Sequence, residues 1–372
     1  MTSPLLLRPL NIGAMRLPNR LVMPALTRLR AGPDGVPTDL MRDYYAQRAS
    51  AGLIVTECTM VSPQARGLLG CPGIYNEAQQ QGWSKVSEAV HAAGGRIFCQ
   101  LWHAGAASHP TLQPDGGAPV APSEDRPPLD VFTASGTRVP SDPPRALEQN
   151  EMAGIAEQFA TAAARALAAD FDGVEIHGAN GYLLEQFLRR STNRRSDEYG
   201  GSGPNRGRLV REVIDAVVEV AGAEWTGLRL SPWGELNLPV GDDDMDSYES
   251  AVLHASKRGL VYLHLIEPRA SGAPVREHEA LGDVRAATVF REIFAGPLIS
   301  AGGWTFETAE QASEAGVADA FAFGRGFLAN PDLPERFRRD APLNPYNRPT
   351  FYGGGAAGYV DYPTLEASAL AG

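Results

Sequence analysis

The chain has 372 residues, of which 33 are basic and 44 acidic, so its formal net charge at pH 7 is −11. A chain this acidic lacks the clustered positive potential that nucleic acids and anionic membranes require, and we expect neither as a partner. Hydrophobic residues make up 43% of the sequence and charged residues 21%, which is typical of a globular protein with a sizeable core rather than a disordered chain.

Cysteine content and the start of the chain indicate the compartment. Cys58, Cys71 and Cys99 are too few for a disulfide framework, and their spacing matches no zinc motif. No apolar run approaches the roughly 20 residues that a membrane span needs, and the N-terminal segment lacks the basic start and long apolar stretch of a signal peptide. We therefore predict a cytoplasmic protein.

Short apolar runs alternate with amphipathic helical patterns along the chain. The runs are rich in Val, Ile, Leu and Phe and show little polar alternation, as expected of strands buried on both faces of a parallel sheet. In chain order they are Arg20–Met23, Leu53–Thr56, Arg96–Leu101, Gly173–His177, Gly227–Ser231, Tyr262–Ile266, Pro297–Ala301 and Ala320–Phe323. The clearest helical patterns are Glu151–Ala169, Asn205–Ala221, Ser247–Arg258 and Thr305–Ala315.

This alternation predicts an α/β fold, a (β/α)8 TIM barrel, with a doubly wound sheet as the competing arrangement. Residues 104–150 are rich in Pro, Gly, Ser and Asp and are far longer than an ordinary βα loop. We interpret them as a substrate-side excursion after the third strand. The tail, residues 341–372, contains the flexible aromatic stretch Phe351–Gly355, which either closes over a site or lies on the surface. Without linkers or repeats, residues 1–372 are predicted to form a single domain.

Polar residues occur at or just after the ends of several predicted strands, where the active sites of such barrels lie. They are Thr27, Gln100, His177, Arg229 and Arg325. Any one of them could be a satisfied core residue. Because burial of such groups is costly without a polar partner, their convergence on one end of the barrel indicates a bound polar ligand.

Glycines follow the last two predicted strands, at Gly302-Gly303 and at Gly324, which precedes Arg325. Glycine lets backbone N–H groups approach an anion, and an arginine can pair with it. Phosphate sites of barrel enzymes form at this position. We therefore predict a ligand that carries a phosphate, with simple tight turns as the alternative.

The segment from His177 to Tyr182 runs from the fourth strand into a helix. His177 and Asn180 can donate hydrogen bonds to one oxygen and so polarise a carbonyl, while Tyr182 can deliver a proton nearby. The same residues could instead cap the helix. No carboxylate or cysteine stands beside them at metal-ligand spacing, so we predict no metal site.

These residues belong to sequence blocks that resemble the Old Yellow Enzyme family of FMN-dependent ene-reductases. The resemblance covers nearly the whole chain, and its blocks occur in the family's order. They are Leu17–Arg28, Cys99–Gly105, His177–Leu188 with Asn193–Asp197 and Tyr199–Ser202, and Ala322–Arg325 with Ala329–Asp332.

The resemblance implies tightly bound, non-covalent FMN, with NADPH or NADH as a transient reductant. Thr27 would bind the region of the flavin C4 carbonyl, Gln100 the pyrimidine edge, and Arg229 the region of N1. Gly303, Gly324 and Arg325 would hold the phosphate. The full set of cofactor-binding residues implied in this way is Ala25, Leu26, Thr27, Cys58, Gln100, Arg229, Gly303, Gly324 and Arg325.

The resemblance also implies reduction of the activated C=C bond of an α,β-unsaturated carbonyl or nitro compound. Hydride would pass from flavin N5 to the β-carbon, with the activating oxygen bound by His177 and Asn180 and the α-carbon protonated by Tyr182. Further substrate-binding residues are expected to be Leu68, Trp102 and Tyr352.

The alternative function is a non-redox barrel lyase or isomerase acting on a phosphorylated substrate. Such enzymes usually need a Schiff-base lysine or a carboxylate base in the barrel, and both lysines, Lys85 and Lys257, lie in helical patterns. Leu68, Ala106 and Arg190 depart from the family's usual residues. These departures leave the identity of the substrate open. The sequence also leaves open the coenzyme preference, the stereochemical face and the choice between monomer and homodimer.

Overall fold

The computed structural model describes residues 3–238, 244–268 and 286–367. Its centre is a closed barrel of parallel strands, in which each strand pairs with the next and the last pairs with the first. The strands are β1 (Leu21–Met23), β2 (Leu53–Val55), β3 (Ile97–Trp102), β4 (Gly173–Gly178), β5 (Thr226–Leu230), β6 (Tyr262–Ile266), β7 (Leu298–Ala301) and β8 (Ala320–Ala322). The predicted TIM barrel is confirmed, and closure of the sheet excludes the doubly wound alternative.

Helices surround the barrel. Those of the described residues are α1 (Asp39–Ala46), α2 (Glu77–Ala92), α3 (Met152–Ala168), α4 (Leu183–Leu188), α5 (Gly203–Arg206), α6 (Arg208–Ala221), α7 (Met245–Arg258), α8 (Ala286–Arg291), α9 (Phe306–Glu314), α10 (Gly324–Ala329) and α11 (Leu333–Arg338). In α6, Leu209, Val213 and Val217 recur at helical spacing and are buried against the sheet side. None of these helices has the length and apolarity that crossing a membrane would take.

The lumen of the barrel is apolar at the amino-terminal ends of the strands. Leu53, Phe98 and Ile299 pack together there with the rest of the inner cluster. An antiparallel hairpin, Leu10–Ile12 with Met15–Leu17, adds its own apolar side chains to this cluster. This packing confines ligand access to the opposite, carboxyl end of the strands.

The excursion after β3 consists of short strand pairs joined by irregular loops. Its strands are Val120–Ala121 with Arg145–Ala146, which are parallel, and Asp130–Phe132 with Arg138–Pro140, which are antiparallel. The backbone N–H of Arg194 donates to Ser123 Oγ at 2.9 Å, and Arg195 donates to the carbonyl of Pro122 at 3.0 Å. These bonds attach the excursion to the segment after α4.

Three buried arginines, which we call the arginine clamp, hold the C-terminal segment 350–359 against the loop that follows β1 and the end of α1. Arg28 donates from Nε to the carbonyl of Phe351 at 2.9 Å, and its own carbonyl accepts from the N–H of Gly353 at 2.8 Å. Arg30 donates to the carbonyl of Thr350 at 3.0 Å. The third member, Arg48, donates to the carbonyl of Tyr359 at 3.3 Å. The aromatic stretch of the tail, which includes Tyr352, therefore lies beside the carboxyl end of β1.

Candidate active site

A patch of polar side chains lines the lumen at the carboxyl ends of β3 to β6. Gln100 pairs in register with Glu175, and Arg229 pairs with both His177 and His264. Residues in register on neighbouring strands face the same side of a sheet, so these side chains form one continuous surface. Sequence reasoning predicted Gln100, His177 and Arg229 but missed Glu175 and His264.

Glu175 is the centre of a buried hydrogen-bond network. Its carboxylate is fully buried and accepts from Gln100 Nε2 at 2.7 Å, Tyr262 OH at 3.1 Å and His264 Nδ1 at 2.8 Å. Burial opposes its charge, but His264, Arg229 and the hydrogen bonds outweigh burial and lower the pKa of Glu175 to about 2. We conclude that Glu175 carries a full negative charge inside the barrel.

Gly227 makes the contact between Tyr262 and Glu175 possible. It lies in register between these two residues, on β5. A Cβ atom at this position would stand 2.3 Å from the ring of Tyr262, which no side chain tolerates. Absence of a side chain at Gly227 therefore lets the phenol cross β5 and reach the carboxylate.

Arg229 is a buried cation with few hydrogen bonds. The residue is only 7% exposed, and its NH1 donates to the carbonyl of Ala25 at a long 3.5 Å. Within the described residues Nε has no hydrogen-bond partner. Burial lowers the pKa of Arg229 and the charge of Glu175 opposes that shift, but a guanidinium stays protonated in proteins. Such a cation is expected to face an electron-rich or anionic ligand.

His177 is buried, and neither of its ring nitrogens has a partner among the described residues. Burial, assisted by the positive charge of Arg229, lowers the pKa of His177 to about 3. The imidazole is therefore neutral at physiological pH. A neutral imidazole offers one N–H donor and one acceptor, both of which are available to a ligand.

Asn180 is held in a tight turn directly after β4. Its φ of +59° lies in the left-handed region, which asparagine tolerates better than most residues. The N–H of Asn180 donates to Ser231 Oγ at 2.8 Å, and its carbonyl accepts from Asn237 Nδ2 at 3.0 Å. Below the turn, buried Glu185 accepts from the N–H of Gly181 at 2.6 Å and from Ser231 Oγ at 2.7 Å. These contacts fix the backbone that carries Asn180.

Tyr182 lies between His177 and Trp102. The centroid of its ring is 5.5 Å from that of His177 and 5.1 Å from that of Trp102, which meets it edge-on at 89°. Burial raises the pKa of Tyr182 well above its ordinary value, so the phenol keeps its proton. The structure thus brings together His177 and Tyr182, two of the three residues for which sequence reasoning predicted catalytic roles, and places Asn180 in the turn between them.

The ends of β1 and β2 approach the polar patch through sulfur contacts. Thr27 Oγ1 is 3.6 Å from Cys58 Sγ, which in turn is 3.4 Å from Gln100 Oε1. Burial raises the pKa of Cys58 to about 12, and it remains a thiol. Leu26 extends the same surface toward the end of β8, where its side chain lies close to Gly324. A Cβ atom at Gly324 would be only 3.1 Å from Leu26 Cδ2.

An open ledge follows β7 and β8. Gly303 has a φ of +67°, and no atom lies within 4 Å of the position of a Cβ there. Gly324 begins α10, where backbone N–H groups are unpaired. Arg325 is exposed and donates at 3.4 Å to the hydroxyl of Tyr346. The ledge therefore combines accessible N–H groups with a cation, as a phosphate site requires.

The remaining predicted substrate residues occupy different environments. Leu68 is half-buried and packs on the main core, whereas Tyr352 is 67% exposed. Of the departures noted above, Ala106 is buried and its N–H donates to Gln186 Oε1 at 3.1 Å. Arg190 donates to Asp246 Oδ2 at 3.1 Å on the surface, which gives it a structural role.

These features fit FMN as a ligand. Among the described residues, the one N–H donor of neutral His177 and the Nε–H donor of Arg229 have no acceptor, which a substrate oxygen and a flavin would supply. The ledge around Gly303, Gly324 and Arg325 suits a phosphate. Every group needed for the fit belongs to the same end of the barrel.

Comparison with known proteins identifies relatives along nearly the full length. Residues 5–344 match the NADH:flavin oxidoreductase / NADH oxidase family. The chain is similar to putative 12-oxophytodienoate reductase 4 of Oryza sativa subsp. japonica, with 44% identity over 97% of this chain and 93% of that protein. Among solved structures it resembles morphinone reductase in complex with tetrahydroNAD, at 47% identity, 98% coverage of each chain and a TM-score of 0.89. It also resembles the old yellow enzyme homologue of Zymomonas mobilis, at 41% identity, 97% and 100% coverage and a TM-score of 0.91.

Proposed function

The chain belongs to the NADH:flavin oxidoreductase / NADH oxidase family, and from this premise we propose that it acts on α,β-unsaturated carbonyl or nitro compounds through His177, Asn180 and Tyr182. The protein is an FMN-dependent oxidoreductase that takes electrons from NAD(P)H and reduces activated C=C bonds. A non-redox lyase or isomerase is not supported, because the relatives are reductases.

The observation that carries the proposal is the protonated phenol of half-buried Tyr182 beside the His177 imidazole, whose two nitrogens have no partner among the described residues. A proton donor and an oxygen-binding group side by side are what protonation of a polarised double bond requires. Trp102 packs edge-on against the phenol and helps to exclude water from it.

His177 and Asn180 would bind the activating oxygen of the substrate. A neutral His177 donates one hydrogen bond, and the side-chain amide of Asn180 can donate another. Donors aimed at an oxygen that gains negative charge stabilise the transition state. In a site closed to water, two such donors make the β-carbon electrophilic.

Tyr182 would then deliver the proton to the α-carbon. Its raised pKa keeps the O–H bond intact until the carbon becomes basic. A positioned acid of this kind typically contributes about 10²–10⁴ in rate.

Bound FMN supplies the hydride carrier between NAD(P)H and the β-carbon. Thr27, Gln100 and Arg229 would hold the ring system, with Ala25, Leu26 and Cys58 packing around it. Gly303, Gly324 and Arg325 would hold the phosphate. The positive charge of Arg229 would favour the reduced, more negative state of the cofactor.

Replacement of Tyr182 by Phe tests the proposal in two half-reactions. Anaerobic NADPH should bleach the flavin absorbance at the wild-type rate, because the phenol takes no part in that step. Reoxidation by cyclohexenone should slow by about 10²–10⁴. Tyr362→Phe is the matched control, since the Tyr362 hydroxyl accepts a hydrogen bond from the backbone of Asn347 outside the site.

Unchanged reoxidation in Tyr182→Phe would remove this residue from the assigned role. The substrate class is tested separately by kcat/KM for a panel of enones, nitroalkenes and nitrate esters. Turnover of nitrate esters alone would contradict reduction of a C=C bond as the main activity.

A further inference from the structure

Two opposite charges are buried in the same part of the lumen. Glu175 and His177 are two residues apart on β4 and face the same side, and His177 is in register with Arg229 on β5. Glu175 is fully buried and Arg229 is 7% exposed. The carboxylate therefore lies on the adjacent strand, two residues closer to the amino-terminal end of the barrel than the guanidinium.

The contacts of Glu175 determine how the neighbouring amide is oriented. A carboxylate only accepts hydrogen bonds, so the NH₂ group of Gln100 must face Glu175, at 2.7 Å. The carbonyl oxygen of Gln100 is thereby turned the other way, toward Cys58 Sγ. Without the negative charge, only the weak S–H donor of Cys58 would distinguish the two ends of the amide.

Packing alone does not explain a charged residue at this position. An ionised carboxylate loses its hydration in the lumen, which is costly unless a cation or several donors compensate. A neutral glutamine would fill nearly the same volume and could still accept from Tyr262. Besides a group that only accepts hydrogen bonds from Gln100, glutamine could not provide a counter-charge for Arg229, whose described side-chain contacts include no carboxylate.

We propose that Glu175 is a positioning residue that sets the redox potential of bound FMN, because it offsets part of the charge of Arg229 and fixes the orientation of Gln100. The inference rests on the proposed placement of Arg229 and Gln100 beside the isoalloxazine. Glu175 acts only through these two residues. Its negative charge makes the positive field of Arg229 weaker, and the reduced cofactor is held less tightly than it would be with Arg229 alone.

Potentiometric titration of the holoenzyme tests the proposal. Glu175→Gln removes the charge and keeps the volume, and the midpoint potential should become more positive. We expect the affinity for reduced relative to oxidised FMN to rise about tenfold, which for a two-electron couple is roughly 30 mV.

Tyr262→Phe gives a shift of the opposite sign. It removes one donor from the Glu175 carboxylate and leaves the negative charge less shielded, so the midpoint potential should become slightly more negative. Tyr248→Phe is the matched control, because it removes a phenol from another buried carboxylate, that of Glu185, and should leave the potential unchanged.

A potential in Glu175→Gln that is unchanged or more negative would overturn the proposal, as would shifts of the same sign in Glu175→Gln and Tyr262→Phe. If Glu175→Gln does not retain FMN, the midpoint potential of Tyr262→Phe decides: a more negative value supports the proposal, and an unchanged or more positive value overturns it. Arg229→Gln tests the premise, since it should make the potential more negative. No shift in Arg229→Gln would contradict the placement of Arg229 rather than the action of Glu175.

Discussion

Two regions of this molecule bury arginines and treat them in opposite ways. In the arginine clamp, Arg28 is 1% exposed and donates to four acceptors, the hydroxyl of Tyr44 and the carbonyls of Thr350, Phe351 and Gly358. In the lumen, Arg229 is almost as buried but has one long hydrogen bond within the described residues. The comparison shows that completeness of hydrogen bonding, rather than burial, separates a cation that holds the fold from one that is available to a ligand.

Between the two kinds of buried arginine, the larger effect is expected from Arg229→Gln. If Arg229 serves the cofactor and not the fold, the rate of FMN reduction by NADPH should fall by about 10²–10³, the usual result of removing one preorganised electrostatic group. The melting temperature of the apoprotein should hardly change, because few native contacts are lost. Stopped-flow absorbance and thermal unfolding measure the two quantities. A large loss of thermal stability with normal flavin reduction would reverse the comparison.

Arg28→Met should have the opposite pattern of effects, a loss of stability with a normal rate of FMN reduction. It leaves the buried carbonyl of Gly358 without its Arg28 donor and the part-buried carbonyl of Phe351 with only a longer bond from Arg30, at 3.4 Å. Hydrogen bonds to a charged group contribute about 1.5–3 kcal/mol each. We expect the free energy of unfolding to fall by about 3 kcal/mol, measured by urea denaturation. FMN reduction in the folded fraction should stay near the wild-type rate. A variant as stable as the wild type would show that the clamp does not stabilise the fold.

Acid stability tests the same distinction on His177, whose buried ring nitrogens, like Arg229 Nε, have no hydrogen-bond partner within the described residues. The folded-state pKa of about 3 lies below the ordinary value of 6.5, so the unfolded chain takes up the proton first. Stability from the neutral ring is complete above about pH 6.5 and is lost as the pH falls toward 3, by at most roughly 1.4 kcal/mol per pH unit.

The free energy of unfolding of the apoprotein, measured between pH 7 and pH 4, should therefore fall less steeply in His177→Asn than in the wild type. Burial also lowers the pKa of His103 to about 3, and the slope should not vanish entirely. His91→Asn is the control, because His91 lies on α2 with Asp170 and Asp172 as its partners. Identical slopes in the wild type and His177→Asn would exclude this contribution.

The smallest expected effect is that of Tyr352→Ala. The clamp holds the backbone on both sides of this residue, while its ring is 67% exposed and contacts Phe351. We expect a change of a few-fold in kcat/KM for bulky enones, about 1 kcal/mol for a partial apolar contact, and no change in FMN reduction. A comparable loss of kcat/KM in Tyr362→Ala would show that the effect comes from the tail as a whole and not from contact of Tyr352 with the substrate.

The barrel itself could be predicted from the sequence, because each strand is buried on both faces and forms a short apolar run. Gln100, His177 and Arg229 could be predicted because polar residues at strand ends stand out. Glu175 was missed because it lies inside an apolar run. Its spacing of two residues from His177, which places both on one face of a strand, was the signal that could have identified it.

The arginine clamp had no comparable signal. Arg28 lies 323 residues before Phe351, whose carbonyl it binds, and no local pattern indicates contacts over such a separation. The contact follows from closure of the barrel, which returns the end of the chain to its first strand. Tyr262 was missed for a related reason, since its reach to Glu175 depends on the absence of a side chain at Gly227 on the strand between them.

The clamp also has a consequence for biosynthesis. Residues 350–359 are synthesised 311 to 330 residues after the arginines to which their carbonyls are bonded. Until then we expect Arg28 and Arg30 to stay hydrated, since burying them without most of their acceptors would be too costly. The loop after β1 is therefore expected to lose its water only when the segment 350–359 docks against it.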